Sequence, residues 1–383
     1  MVPRGVFLKM LVYASVHSND GIVNERSVWW PGANLRHAGM GSGRACLPYP
    51  RDPRQTGDVM KRNDEPQPGK PYPAHPTLRR QPLPWTDPKP DSEDPRSSDL
   101  VAAILKSPEY READADTEYL RSDVTRGVRL QLDFQKTEHL LQTHGIGHSI
   151  VVFGSTRVCE PAAAERSVTM LEAECARNPG NADLARKLRI ARRVEAKSRY
   201  YRIAQDFGRL VGNAGFPEGE RLVILTGGGP GLMEAANRGA HDAGAPTVGL
   251  NITLPHEQFP NPYLTPGLCF RLHYFAIRKL HFLLRARALV VFPGGYGTLD
   301  ELFETLTLIQ TRKIAPLPVI LVGEDYWQRV FDPGFLVEEG VIDPEDRDLF
   351  WFAETAEEIW TDILRWYERA GRPLLVEREQ GRK

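Results

Sequence analysis

The chain has 383 residues, 41% of them apolar, and a formal net charge of −1. That length gives one large domain or two ordinary ones with a sizeable core, and the balanced charge excludes a global basic field that would draw the protein to nucleic acid. No apolar run reaches the ~18 residues of a membrane span. The four cysteines (Cys46, Cys159, Cys175 and Cys269) show no CxxC spacing, which argues against a zinc site or a disulfide framework and fits a reducing cytoplasm.

Residues 1–96 do not read as a folded domain. Thirteen prolines fall between Pro48 and Pro95, mixed with Arg, Asp, Gln and Lys. Such a segment buries too little apolar surface to offset its ordering entropy, so a disordered arm is expected. Lys9 interrupts the apolar part of the first twenty residues and no cleavage site follows, so no signal peptide is expected. Met60 opens a more typical polar leader and is read as an alternative start.

Residues 97–376 are read as a single domain, with a polar tail at 377–383. Its first part, 97–148, is helical: Leu100, Ile104 and Leu105 mark a short helix ending near Pro108. Tyr119, Leu120, Val124, Val128, Leu132, Phe134 and Leu140 mark one or two longer helices up to Thr143. Ser149–Phe153 is an apolar strand followed by the small residues Gly154 and Ser155. That turn is either a ligand site at a strand's carboxyl end or an ordinary strand-to-helix turn. Residues 161–214 form a helical hairpin broken at Asn178-Pro179-Gly180-Asn181, with a long second arm from Ala182 to Val211. Its interleaved charges suit a solvated face.

Arg221–Thr226 is a buried strand that runs into Gly227-Gly228-Gly229-Pro230-Gly231 and then a helix. Thr247–Ile252 is another strand. The polar and aromatic loop after it, Pro255–Tyr263, is suited to cover a ligand. His256 reads as loop surface, and Glu257 as loop surface or a substrate contact. Leu272–Arg287 reads as a helix, apolar almost all round, interrupted by Arg278 and Lys279. A charge there needs a partner or faces a cleft.

Ala288–Phe292 then runs unbroken as a strand buried on both faces. Pro293 stops it, Gly294, Gly295 and Gly297 allow a tight turn, and an amphipathic helix is expected from Thr298. A strand, a glycine turn and a helix N-terminus together make an anion site. Thr298-x-x-Glu301 also has capping-box spacing, in which the two side chains only close the helix end. Neither glycine turn fits the dinucleotide fingerprint, whose third glycine would fall at Leu232 or Asp300, and neither is followed by Gly-Lys-Ser/Thr. A mononucleotide or sugar phosphate is therefore favoured over NAD or ATP. Pro318–Gly323 adds a further strand, and Ile359, Ile363 and Leu364 mark a C-terminal helix. Strands that alternate with helices predict an α/β fold, a doubly wound parallel sheet flanked by helices.

Pro293-Gly294-Gly295-Tyr296-Gly297-Thr298-Leu299-Asp300-Glu301 resembles the PGGxGTxxE motif of the Lonely Guy (LOG) family, often labelled "possible lysine decarboxylase". Arg278-Lys279 matches the family's Arg-Lys pair. Gly227–Met233 resembles its second glycine turn, one residue shorter than in the compact plant-like members. The likeness spans roughly residues 100–370, and the N-terminal helices and inserted hairpin are similar to the longer bacterial members. The resemblance implies a Rossmann-like fold and hydrolysis of the N-glycosidic bond of a nucleoside 5′-monophosphate, AMP-like or a cytokinin riboside monophosphate, to free base and ribose 5-phosphate. It implies no cofactor and a dimer or dimer-built homo-oligomer, and the cysteine spacing, charge and hydropathy give no metal, no nucleic-acid and no membrane partner.

In that chemistry positive charge builds on the ribose ring, and a nearby carboxylate stabilises it and orients water. Glu301 is the expected carboxylate and Asp300 the reserve. Arg278 has an electrostatic and positioning role, with Lys279 beside it. The 5′-phosphate is expected on Gly294, Gly295, Tyr296, Gly297 and Thr298, with Gly228, Gly229 and Ser155 nearby. The family pattern puts Thr307 and Glu257 at the substrate's border. The alternative is a non-catalytic nucleotide- or molybdenum-cofactor-binding carrier or sensor of the same fold.

Overall fold

The computed structural model describes residues 87–215, 220–255 and 259–375. The expected Pro-rich arm lies largely outside them, and Glu257, His256 and the polar tail lie wholly outside. The chain divides into two units, Met1–Glu112 and Ala113–Lys383. In the first, helix α1 (Ser97–Lys106) is followed by a 3-10 turn at Pro108–Tyr110. The Ser97 hydroxyl donates to Lys89 O at 2.9 Å and to Asp91 Oδ1 at 3.0 Å.

The second unit carries the sheet. Seven parallel strands lie in the order β4-β3-β2-β1-β5-β6-β7. They are β1 (Ile146–Phe153), β2 (Arg221–Thr226), β3 (Thr247–Ile252), β4 (Cys269–Leu272), β5 (Ala286–Val291), β6 (Val319–Val322) and β7 (Trp351–Ala353). The helices are α2 (Thr117–Arg121), α3 (Arg126–Thr143), α4 (Pro161–Arg177), α5 (Ala182–Lys197), α6 (Arg199–Gly212), α7 (Leu232–Asp242), α8 (Phe275–Leu284), α9 (Tyr296–Gln310), α10 (Glu324–Trp327), α11 (Pro333–Glu338) and α12 (Ala356–Arg369). The fold is Rossmann-like and doubly wound. From β1 the chain winds outward to β4, then returns to β1's other side at β5. The switch point between β1 and β5 opens a crevice at the strands' carboxyl ends.

Alternate residues of each central strand point to opposite faces. Ile150, Val152, Ile224, Val290 and Ile320 pack with Tyr201, Phe207, Leu232 and Ile359 from α6, α7 and α12. Val151, Leu225, Leu250, Leu289 and Leu321 pack with Leu141, Phe282, Leu302 and Trp327 from α3, α8, α9 and α10. Burial on both faces is why these strands read as unbroken apolar runs. Among the described residues, no helix is long and apolar enough to cross a membrane.

Three boundaries differ from the sequence reading. The expected long arm from Ala182 is two helices that meet at Ser198. There Ser198 N donates to Glu195 O, and Tyr201 N to Ser198 O, in tight three-residue steps. The faces also change: α5 buries no residue, whereas α6 buries Tyr200, Tyr201, Ala204, Phe207, Gly208 and Val211. The expected helix Leu272–Arg287 is shorter at both ends. Cys269–Leu272 forms an edge strand with only Phe270 and Leu272 buried, and Ala286 already belongs to β5. Helix α9 starts at Tyr296, two residues before Thr298.

Candidate active site

Three turns meet at the switch point, and Ser155 ties them together. Its N–H donates to Pro293 O at 3.0 Å and its carbonyl accepts from Leu232 N at 3.1 Å. The turns after β1, β2 and β5 thus share one backbone junction. The junction needs small residues. A Cβ on Gly154 would lie 2.8 Å from the Leu232 Cβ and 3.0 Å from the Phe292 Cβ. A Cβ on Gly231, at φ 78°, would lie 2.4 Å from Ser155 O.

The turn after β2 is held from within. Gly228 N–H donates to Thr226 Oγ1 at 2.9 Å, and the Thr226 hydroxyl donates to Asn237 Oδ1 at 2.8 Å. Asn261 Nδ2 bridges Asn237 Oδ1 and Gly229 O, each at 3.1 Å. The Gly228 N–H is therefore engaged by the protein and is not a free donor for an anion.

The turn after β5 opens α9. Its N-cap is Gly295, with no side-chain cap. Thr298 lies within the first turn and its N–H donates to Gly295 O at 2.9 Å. The capping-box reading of Thr298 and Glu301 therefore fails: neither closes the helix end. Instead Thr298 packs beneath Gly294, where an added Cβ would lie 2.1 Å from Thr298 Oγ1. The Tyr326 hydroxyl fixes the turn from β6's side by donating to Gly294 O at 2.5 Å. Tyr296 and Gly297 are the first two helical residues, so their N–H groups lack an intrahelical acceptor, and both are exposed. The dipole points its positive end the same way.

Helix α8 brings the cations. The Lys279 ammonium sits 2.9 Å from Asp300 Oδ2, 2.9 Å from Glu304 Oε2 and 3.8 Å from Glu301 Oε2. These carboxylates hold its pKa above the ordinary lysine value against the opposing effect of burial. Arg278 Nε donates to Leu250 O at 2.7 Å. Its guanidinium lies against Gly227, where a Cβ would come 2.6 Å from Nη2, and 5.0 Å over the Phe282 ring. Burial lowers the Arg278 pKa, and the Glu301 charge opposes that shift.

Glu301 is 6% exposed. Burial pushes its carboxyl up to about 7; Lys279 and Arg278 pull it down, and Glu304 and Asp300 push it further up. A carboxylate that titrates near neutrality, between a fixed cation pair and a free helix N-terminus, is equipped to exchange a proton with water at physiological pH.

These contacts place Ser155, Gly229, Gly294, Gly295, Tyr296, Gly297, Thr298, Arg278, Lys279, Asp300 and Glu301 on the turns after β1, β2 and β5 and on the two helices α8 and α9. Thr307 lies further along α9, beyond Glu301. Its hydroxyl donates to Phe303 O, and it lines a cavity of about 430 Å³ with Lys279, Tyr296, Asp300, Phe303 and Glu304. Glu301 and Arg278 are not in that cavity's wall, whereas Lys279, Tyr296 and Asp300 belong to both regions. Sequence reasoning missed Glu304, Tyr326 and Asn261. Only Glu304 carried a signal, since it stands four residues after Asp300 on the same helix.

The fold and the site define a Rossmann-like α/β protein with an uncapped helix start beside a buried carboxylate and two cations. The family model described as "possible lysine decarboxylase" matches residues 233–363. Cytokinin riboside 5′-monophosphate phosphoribohydrolase LOG3 of Arabidopsis thaliana is 30% identical over 167 residues, covering 41% of this chain and 75% of that protein. Probable cytokinin riboside 5′-monophosphate phosphoribohydrolase LOG4 of Oryza sativa subsp. japonica is 33% identical over 152 residues, covering 38% of this chain and 64% of that one. A molybdenum cofactor binding protein from Rippkaea orientalis aligns in structure at 22% identity and a TM-score of 0.31, covering 44% of this chain and 88% of its own. The chain belongs to the LOG family.

Proposed function

We propose that the chain hydrolyses the N-glycosidic bond of a nucleoside 5′-monophosphate to free base and ribose 5-phosphate. The observation that carries this reading is the buried Glu301 carboxyl, raised to about 7 beside Arg278 and Lys279 at the foot of a helix start with free N–H groups. The relatives named as phosphoribohydrolases support the reaction class.

The 5′-phosphate lies on the N–H groups of Tyr296 and Gly297, with the Gly294–Gly295 turn beneath it. As the C1′–N bond breaks, its electron pair leaves with the base and positive charge spreads over the ribose ring. Ionised Glu301 stabilises that charge and takes a proton from the attacking water. Water supplies the new C1′ hydroxyl, and the proton taken up by Glu301 passes on to the departing base nitrogen, which regenerates the carboxylate. Arg278 acts electrostatically, because a guanidinium does not give up its proton at neutral pH. Lys279, bracketed by Asp300 and Glu304, holds the carboxylates in place and favours ionised Glu301. The protein works in the cytoplasm as a homo-oligomer, with exposed Tyr296 and Phe303 at the cavity mouth.

The full chain is to be incubated with AMP, GMP, CMP, UMP and isopentenyladenosine monophosphate, and base release followed by chromatography. Release from at least one is expected; no release from any of them overturns the reading.

The glycines give a second test. No heavy atom lies within 4 Å of a Cβ built on Gly297, whereas Gly294 has none of that space. Gly297→Ala is expected to hold or raise the melting temperature, by up to about 1 kcal/mol of stability, while the methyl at the phosphate seat raises KM. Gly294→Ala is expected to lower the melting temperature. Thermal melts with KM measurements check both, and an unchanged KM in Gly297→Ala contradicts the phosphate placement.

A further inference from the structure

Arg278 and Lys279 can act only if α8 is held still, and α8 cannot hold its own start. Its N-cap residue, Tyr274, supplies no side-chain cap. Helix α3 supplies what is missing. Asp133 Oδ2 accepts from His273 N at 2.7 Å and from Tyr274 N at 3.0 Å. A carboxylate at a helix start is also favoured by the dipole. Tyr274 in turn reaches the cation, because its carbonyl accepts from Arg278 N at 3.1 Å. One residue, Tyr274, therefore links Asp133 to the backbone of Arg278.

The same two helices meet along their length. Arg129 Nε donates to the Tyr274 hydroxyl at 3.1 Å. Phe134 stacks on His281, ring centroids 5.1 Å apart and planes 17° apart. Burial drives the His281 pKa down to about 4, so it stacks as a neutral ring. Glu138 takes the Arg285 guanidinium in two hydrogen bonds, at 2.9 Å and 2.5 Å. Helix α3 is itself anchored: Leu141 is fully buried, and Arg129 Nη1 donates to Leu120 O at 2.7 Å. It lies upstream of residues 233–363, the segment the family model matches.

We propose that Asp133 is a positioning residue for the reaction, fixing the start of α8 so that Arg278 faces Gly227 and Lys279 meets the α9 carboxylates. The proposal rests on the hydrolase reading for its kinetic part. Removing the acceptor frees the His273 and Tyr274 amides and lets the first turn of α8 fray. Misplacing a group by about 1 Å costs on the order of a hundredfold in rate.

The test compares Asp133→Ala and Asp133→Asn in the full chain with the wild type. The readouts are kcat and KM for the nucleotide that the wild type cleaves, the melting temperature, and amide hydrogen exchange of residues 273–285. Asp133→Ala is expected to lower kcat about 10- to 100-fold with KM nearly unchanged, and to speed exchange in the first turn of α8. Asp133→Asn retains an acceptor oxygen and recovers most of the rate. A folded Asp133→Ala protein with a kcat within about twofold of wild type overturns the proposal. Should the wild type release no base, the hydrolase reading falls alone. The exchange data then decide on the clamp: unchanged α8 protection in Asp133→Ala overturns it, and faster exchange upholds it.

Discussion

Glu301→Gln is expected to lower kcat by about 10²- to 10⁴-fold while leaving the chain folded. The substitution preserves shape in a site that is 6% exposed, so it removes charge and basicity without opening a cavity. Lys279 keeps Asp300 and Glu304 as partners at 2.9 Å each, so the ammonium is not stranded. The pH dependence makes the prediction specific. With its carboxyl raised to about 7 from the ordinary 4.5, Glu301 is ionised in only part of the molecules at neutral pH. Wild-type kcat/KM should therefore climb with pH through about 7 and level off above it. Glu301→Gln should lose that rising limb along with the rate.

Stability moves the other way. The folded chain holds the Glu301 proton more tightly than the unfolded chain does. Between pH 4.5 and about 7, wild-type stability therefore falls as pH rises, and the full penalty is present above about 7. Gln carries no such penalty. Relative to wild type, Glu301→Gln should gain about 1–3 kcal/mol on going from pH 5 to pH 8. A variant that keeps its turnover removes Glu301 from the chemistry. A stability difference that does not change with pH removes the raised carboxyl.

How far such a site can be read from sequence depends on whether its determinants are local. The strands β1, β2, β3, β5 and β6 are legible because burial on both faces demands unbroken apolar runs, as in Ala288–Phe292. The edge strands are not. Cys269-Phe270-Arg271-Leu272 and Trp351-Phe352-Ala353 are short, and β4 buries only alternate residues, so neither reads as a strand, and Leu272 alone reads as the start of a helix. The start of α9 was misplaced because Tyr296-Gly297 looks like turn chemistry, yet both residues are helical. That shift is what separates a capping Glu301 from a buried one. Arg278, Lys279 and Glu301 were identifiable as residues, but their contacts were not. The three carboxylates around Lys279 come from packing of α8 on α9. Asp133 meets Tyr274 across 141 positions of sequence, with no local trace.

Gly239→Ala carries the largest expected loss of stability, and the reason is again a contact between distant segments. Helices α6 and α7 touch backbone to backbone. A Cβ on Gly239 would lie 1.8 Å from Gln205 O and 2.8 Å from Arg209 N, and one on Gly208 would lie 2.1 Å from Ala236 O. Neither glycine has a positive φ, so the requirement is steric and not conformational. A carbonyl oxygen within a helix cannot rotate aside, so the helices must separate. Separation loosens Phe207, Ala236 and Ala240, all now essentially fully buried. It also carries away the start of α7, which is tied to Ser155 through Leu232 N. The expected cost is about 3 kcal/mol or more, or roughly 5–10 °C in melting temperature. Gly127→Ala is the matched control. Gly127 also lies in a helix, but nothing stands within 4 Å of an added Cβ, so the same chemical change should stabilise by about 0.5–1 kcal/mol. Thermal and denaturant unfolding of the two variants side by side decides the matter. Equal melting temperatures would mean that α6 and α7 have room between them, and that the glycine turn after β2 is held by its Thr226–Asn237–Asn261 hydrogen bonds without help from the helix pair.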